Sequence, residues 1–359
     1  MPTPISATDT ELQKPVNVIF QASFLKQAMP CAPYFLGTKS GQLSKNGGSA
    51  TVKWRRINAL TPSTTALSEL TGNASYMQGR SSTTLGTTDV TATVAKYGEF
   101  VILNEEVDVF SFSTQMNEIF IALGIMAGRS ANMLQRNIVE DNATLLYASG
   151  TSDGDTDSAI TLNSIKSVVN RLVKNSARTF SPSANGSQNV GTTPILKSFW
   201  GLCHPDVASD IEGLAGFKGV ETYAGQVATM SGEFGYLKAN GYGVRFVQSE
   251  DASLDSGLGA ATSSTGLRGS TNIDLYTTVI YGQEALGSVG LGKSHTDGIY
   301  MAGDKLDAID IIPKDRKQGG TSDPLEEIST IGYKFWHAGA VLNSSWVRGI
   351  RSGATDIQA

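Results

Sequence analysis

Between Thr51 and Leu103 the chain carries two strand-like stretches, separated by a Ser-, Thr- and Gly-rich interval over 58–88, and a long helical pattern follows almost at once. The first stretch, Thr51–Ile57, sets Val52, Trp54 and Arg56 on one face and Lys53, Arg55 and Ile57 on the other. The second runs from Asp89 to Asn104 with the same alternation. A period of two marks strands whose faces meet different surroundings. Two paired strands have too little core to stand alone in water. Something else must cover the ribbon, so it argues for assembly with other copies before any motif is weighed.

The helical pattern fits the same demand. Met116, Ile119, Phe120, Leu123, Ala127, Ala131, Leu134, Ile138 and Leu145 recur at helical spacing between Thr114 and Ala148. Asn117, Glu118, Arg129, Asn132, Gln135 and Arg136 take the other side. A helix over 114–148 makes a rod of about 50 Å, which needs a partner surface along its length.

Elsewhere the signals are shorter. Residues 1–50 read as an extended arm with one short helix expected, Phe20 to Met29. A second helix is expected over Leu162 to Ala177, then a Ser-, Asn- and Gly-rich stretch from Ser181 to Thr193. Short strand and helix patterns alternate at Phe199–Leu202, Pro205–Leu214, Tyr242–Gln248 and Ile273–Tyr281, with a surface insertion at Ser253–Thr271. Ile328 to Ile350 is strand-like and aromatic. This is a mixed α+β chain without a regular βαβ repeat.

Bulk properties narrow the function. A net charge of −5 argues against broad attraction to nucleic acid, because neutralising phosphates takes concentrated Lys and Arg. Lys53, Arg55 and Arg56 beside Trp54 are too few for a nucleic-acid patch, and alternation splits the two arginines between faces. Ion pairing with acidic groups of a neighbouring subunit is the expected use. Cys31 and Cys203 are isolated thiols without metal or disulfide spacing. No signal-peptide pattern opens the sequence and no run of apolar residues is long enough to span a bilayer, so a soluble, cytoplasmically made protein without a membrane partner is expected.

Three patterns tempt an enzymatic or metal reading. Gly287–Ser294 satisfies the phosphate-loop spacing G-x-x-x-x-G-K-[ST] letter for letter, with Lys293 and Ser294 in the lysine and magnesium positions. Such a loop must open a helix, whose N-terminal N–H groups hold the phosphates. His295-Thr-Asp-Gly298 starts a helix poorly, and a Gly-rich turn beside a strand is the preferred reading over an NTPase. Asp153, Asp155 and Asp157 open like a calcium loop, but Ser158 and Ser164 stand where Gly and Glu are needed. His204, His295 and His337 are far apart; the first reads as a turn residue and the last as packing beside Trp336. No catalytic residues, cofactor or metal are expected.

The order of these segments resembles a known family. Thr51-Val-Lys-Trp-Arg-Arg, Asp89-Val-Thr-Ala-Thr-Val-Ala-Lys-Tyr-Gly-Glu-Phe and the long helix look like the major capsid proteins of tailed bacteriophages, more narrowly the coat proteins of N-four-like phages. His204-Pro-Asp-Val, Gly243-Val-Arg-Phe-Val-Gln, Val279-Ile-Tyr-Gly-Gln-Glu-Ala-Leu-Gly-Ser-Val, Asp323-Pro-Leu and Gly332-Tyr-Lys-Phe-Trp continue the likeness, which covers roughly 35–350.

The resemblance implies an HK-ninety-seven-like fold: an N-terminal arm over 1–37, an E-loop ribbon over 38–104, and a P-domain with its spine helix over 105–158. An A-domain over 159–313 and a return to the P-domain over 314–359 complete it. It implies a non-enzymatic subunit of an icosahedral head, assembled as pentamers and hexamers in the host cytoplasm and found in the virion. The shell would enclose double-stranded DNA without reading its sequence. Inter-subunit contacts are expected at Lys53, Trp54, Arg55, Arg56 and Ile57, with the ribbon over a neighbour's spine helix. Scaffolding, portal and decoration proteins would be separate chains, and no Lys–Asn cross-link is expected. An encapsulin-like compartment of the same fold is the alternative within the structural class.

Overall fold

Alternation builds strands where it was expected, but their partners lie far along the chain. The computed structural model describes residues 32–43, 49–58, 60, 62, 64, 84–105, 115–180, 196–222, 232–261, 266–291, 309–314, 325 and 327–357. The Phe20–Met29 helix, the Ser181–Thr193 stretch, Cys31 and His295 fall outside them. In chain order come β1 (Lys39–Leu43), β2 (Thr51–Ile57), β3 (Thr87–Thr93), β4 (Ala95–Asn104), helix α1 (Gln115–Asn142) and β5 (Thr144–Tyr147). Next are α2 (Leu162–Lys174), β6 (Ser198–Cys203), α3 (Pro205–Glu212), β7 (Phe217–Gly219), β8 (Glu233–Ala239), β9 (Tyr242–Gln248) and β10 (Leu254–Asp255). Last are β11 (Leu275–Tyr281), β12 (Leu286–Leu291), β13 (Ile309–Lys314), β14 (Ile328–Val341) and β15 (Val347–Ser352).

Two large sheets organise these elements. In the five-stranded sheet, β4 and β13 flank the first half of β14 in antiparallel register. β12 pairs with its second half, and β1 adds in parallel to β12. The eight-stranded sheet runs β5-β15-β11-β6-β9-β8-β7, with β10 on β11. β2 and β3 form a separate two-stranded ribbon. From the 159–313 segment β12 and β13 join the sheet built on β14, while β15, from 314–359, lies between β5 and β11 in the other sheet.

The long helix serves both sheets. Leu123, Ala127 and Ala131 of α1 pack on Leu103, Ile331, Tyr333 and Phe335 of β4 and β14. One turn from its end, Val139 joins Tyr34, Trp200, Val247 and Val279 under the eight-stranded sheet. Helix α1 spans 28 residues, about 42 Å at the standard rise. It stops short of the expected Ala148 because Thr144–Tyr147 pairs in parallel with β15, and that ladder overrides a local pattern that helix or strand could satisfy. Asn132 and Gln135, expected on the solvent side, are fully buried.

The other face of the eight-stranded sheet is covered by α2 and α3. Ile165, Val168, Leu172, Val207 and Ile211 meet Phe199, Val244, Phe246, Ile280 and Ile350. Thr161 caps α2 by accepting the Ser164 N–H at 3.2 Å, and Ser164 answers the Thr161 N–H at 3.1 Å, a reciprocal capping box. The helix ends at Lys174, three residues before the expected end, where Ser176 takes φ 55°.

Candidate assembly surface

The ribbon base is docked on its own chain. Val52 and Trp54 of β2, with Val90, Ala92 and nearby Val94, cover Val289, Ala338, Ala340 and Leu342 of the β12–β14 region. The Trp54 ring fits here because two positions lack a side chain. A Cβ on Gly41 would stand 2.7 Å from Trp54 Cζ2, and one on Gly287 3.2 Å from the same atom. Arg56, on the same face, donates from Nη1 to the Leu342 carbonyl at 3.4 Å.

The opposite face of the ribbon points outward. Asp89 lies between Lys53 Nζ at 2.7 Å and Arg55 Nε at 2.9 Å. Hydrogen bonds from Arg55 and then Lys53 hold its carboxyl at about 2, below the usual carboxylate range. The acidic partner of these two cations is thus on their own hairpin. Ile57 is 62% exposed at the ribbon's outer end, near exposed Leu60 and Leu85. Of the five expected contact residues, Lys53, Arg55 and Ile57 face out, while Trp54 and Arg56 turn into the subunit.

A second exposed apolar surface lies on the five-stranded sheet, opposite α1. Phe100 and Ile312 flank Gly332 on neighbouring strands, and Ile102 and Ile328 stand close by. Phe100 is 63% and Ile102 57% exposed. Phe100 and Ile312, with Lys96, Lys314 and Lys334, border a groove of about 570 Å³. The far edge of β4 pairs with no strand among the described residues. An open, apolar edge strand is a site where another chain can add. The sequence signalled this surface in the Phe100-Val-Ile-Leu103 run, which is apolar on both faces of one strand.

Helix α1 is fixed to the loop after β9 by a polar clamp. Arg129 Nε donates to Asp251 Oδ1 at 2.8 Å, and Asn132 Nδ2 to Asp251 Oδ2 at 3.0 Å. Asn132 Oδ1 accepts the Tyr34 N–H at 3.0 Å, and the Tyr34 hydroxyl donates to Glu140 at 3.2 Å. Burial raises the Tyr34 hydroxyl and the Glu140 carboxyl above their ordinary values. Gln135 donates to the Gly287 carbonyl at 3.5 Å. These long-range partners explain why two amide side chains sit in the core.

The tempting motifs dissolve into the fold. Gly287, Ser288 and Val289 lie in an extended strand paired with β14 on one side and β1 on the other. A strand bonded along both edges cannot curl its N–H groups around a phosphate. Lys293 and Ser294 lie outside the described residues. Asp153 receives Arg351 Nε at 3.0 Å, and Asp155 receives the Ser152 hydroxyl at 2.6 Å. Among the described residues no cluster of metal-ligating side chains occurs, and no helix is long and apolar enough to cross a membrane. His204 Nδ1 accepts the Asp206 N–H at 3.2 Å as the cap of α3, and burial lowers its pKa. His337 is buried edge-on to Phe35, with ring centroids 5.4 Å apart. Burial pushes the Cys203 thiol far above its ordinary value, which removes it as a nucleophile.

No protein-family model matches the sequence, and no curated protein matches it in sequence. Solved structures do match. The capsid of Ralstonia phage GP4 is similar over 91% of this chain and 89% of its own, with a TM-score of 0.61 at 10% identity. The fold is the HK-ninety-seven-like capsid fold. The capsid of cyanophage P-SCSP1u covers 89% of this chain and 87% of its own, with a TM-score of 0.51 at 11% identity. The cyanophage Pam1 capsid covers 91% and 92%, with a TM-score of 0.51 at 13% identity. The HK-ninety-seven-like fold persists here with little sequence in common, as expected when volume and patterning are kept while residues change.

Proposed function

We propose that the chain is a major capsid protein, a structural subunit that assembles as pentamers and hexamers into the icosahedral head of a tailed phage around double-stranded DNA. The observation that carries this reading is the likeness to phage capsids along nearly the whole of both chains, rather than over one shared motif. The role is structural and needs no cofactor. Its place is the virion, after assembly in the host cytoplasm, with scaffolding, portal and decoration proteins as separate chains.

Contacts between subunits use the outward ribbon face, Lys53, Arg55 and Ile57, while Trp54 and Arg56 support it from behind by fixing the ribbon base. The exposed apolar set at the ribbon end and the one around Phe100 supply two different surfaces on one chain. Heterologous contacts of that kind close into rings. Expression of the full chain followed by negative-stain electron microscopy tests the reading. Closed shells or ring-shaped capsomers are expected; a protein that stays monomeric at high concentration refutes it. Shells carrying a protein cargo instead of DNA would mark a compartment.

A further inference from the structure

Four cations gather along α2 without a counter-charge. Lys166 and Lys174 stand two helical turns apart around exposed Asn170, and Arg171 lies beside them. The helix is tied to the β8–β9 turn, where Asn240 Nδ2 donates to the Lys166 carbonyl at 2.7 Å. Arg348 lies on β15, opposite Ile280 in the register, on the sheet face that α2 covers. Among the described residues none of the four is in an ion pair. Elsewhere on the chain, Lys53, Arg55, Arg129, Arg268 and Arg351 each hold a carboxylate. The Nε of Arg348 is buried without a hydrogen-bond partner. Burial, and then the like charge of Arg171, lower its pKa.

Helix energetics account for part of this arrangement. Arg171 and Lys174 occupy the last turn of α2, where the helix dipole favours positive charge. That explanation does not reach Lys166 or Arg348. Like charges brought together without anions repel, and in a chain of net charge −5 they mark a place where anions from outside the subunit are met.

We propose that α2 faces the interior of the shell and that Lys166, Arg171, Lys174 and Arg348 contact the phosphodiester backbone of the enclosed duplex. The inference rests on the capsid reading above. Lys and Arg contacts to phosphate carry no sequence information, so the contact is the same whatever the duplex encodes. A strip this small on a net acidic subunit gives weak binding, strong in sum over many copies and easily broken at each.

Two measurements test it. Binding of the full-length protein to a short duplex of arbitrary sequence is followed against salt for wild type and for the Lys166→Gln/Arg171→Gln/Lys174→Gln variant. Removing one cation from a phosphate reduces the slope of log K against log salt by about 0.9, so a slope shallower by roughly 2 to 3 is expected. Shell formation by the variant, checked by microscopy, should be unchanged. Independently, a cryo-electron microscopy map of DNA-filled wild-type shells should place α2 on the inner wall against DNA density. An unchanged slope overturns the proposal even where shells form, as does a map with α2 outside or against an acidic segment of a neighbour. Failure of the wild type to make any shell sinks the capsid reading itself, and the proposal with it.

Discussion

Replacing Trp54 with Ala should release the ribbon base while leaving the subunit folded. The indole is mostly covered, lying over Gly41 and Gly287 with Leu342 alongside. Removing about 150 Å² of buried aromatic surface at ~25 cal/mol per Å² costs about 4 kcal/mol. Residual burial in the denatured chain brings this nearer to 3 kcal/mol. One further correction has the opposite sign to the burial. The Trp54 Nε1 is buried without a hydrogen-bond partner, and relief of that group returns about 1 kcal/mol. The net loss is thus about 2 kcal/mol, and it falls on a two-stranded ribbon that has little stability of its own.

Because a factor of ten corresponds to about 1.4 kcal/mol, amide exchange in β2 and β3 should accelerate by roughly 30-fold. Exchange in the eight-stranded sheet should stay as in wild type. Trp54→Phe keeps most of the ring and removes the unpartnered N–H, so it should change ribbon exchange little. Unchanged protection of β2 and β3 in Trp54→Ala would refute the docking argument. So would a uniform acceleration across all strands, which would mean that Trp54 supports the whole fold.

Three further outcomes follow from the same geometry. Phe100→Lys adds charge to a side chain that is already mostly exposed, so the subunit should keep its thermal transition yet fail to form shells by microscopy; normal shells would remove the β4 surface from the assembly interface. Asp251→Ala deprives buried Asn132 of an acceptor and Arg129 of its carboxylate, and should lower stability by about 2–3 kcal/mol in denaturant unfolding. Asp89 should titrate at about 2 when followed by carboxylate NMR, and move up toward its ordinary value in Lys53→Met/Arg55→Met. Since its pKa is depressed by folding, its contribution is present above the unfolded pKa and fades as pH falls toward about 2. At neutral pH the ribbon should therefore be insensitive to small pH changes.

The elements readable in the sequence were those whose signal is local. Alternation in Thr51–Ile57 and helical spacing over Thr114 to Ala148 need only neighbouring residues; the strand appears, and the helix appears as far as Asn142. What local signals could not carry was the choice of partner. Asp89–Asn104 reads as one strand, yet at Val94 the chain leaves β2 and takes up β14, whose residues begin at Ile328. Asn132 and Gln135 looked solvent-facing because their partners, Asp251 and the Gly287 carbonyl, come from distant segments.

The same distance effect governs Trp54. An aromatic residue on a ribbon with no core reads as an anchor for a neighbouring chain. Its slot is instead made by two glycines, Gly41 and Gly287, that meet only in the folded subunit. The phosphate-loop spacing misleads for a related reason: Gly287 is needed beneath an indole, and Ser288 to Leu291 after it belong to a paired strand. Burial within the subunit therefore stabilises the base of the ribbon and sets its direction before any neighbour arrives. What stays exposed is the outer end at Ile57 and the charged face of Lys53 and Arg55. Pre-setting the ribbon in this way lowers the ordering cost of any contact its exposed face makes.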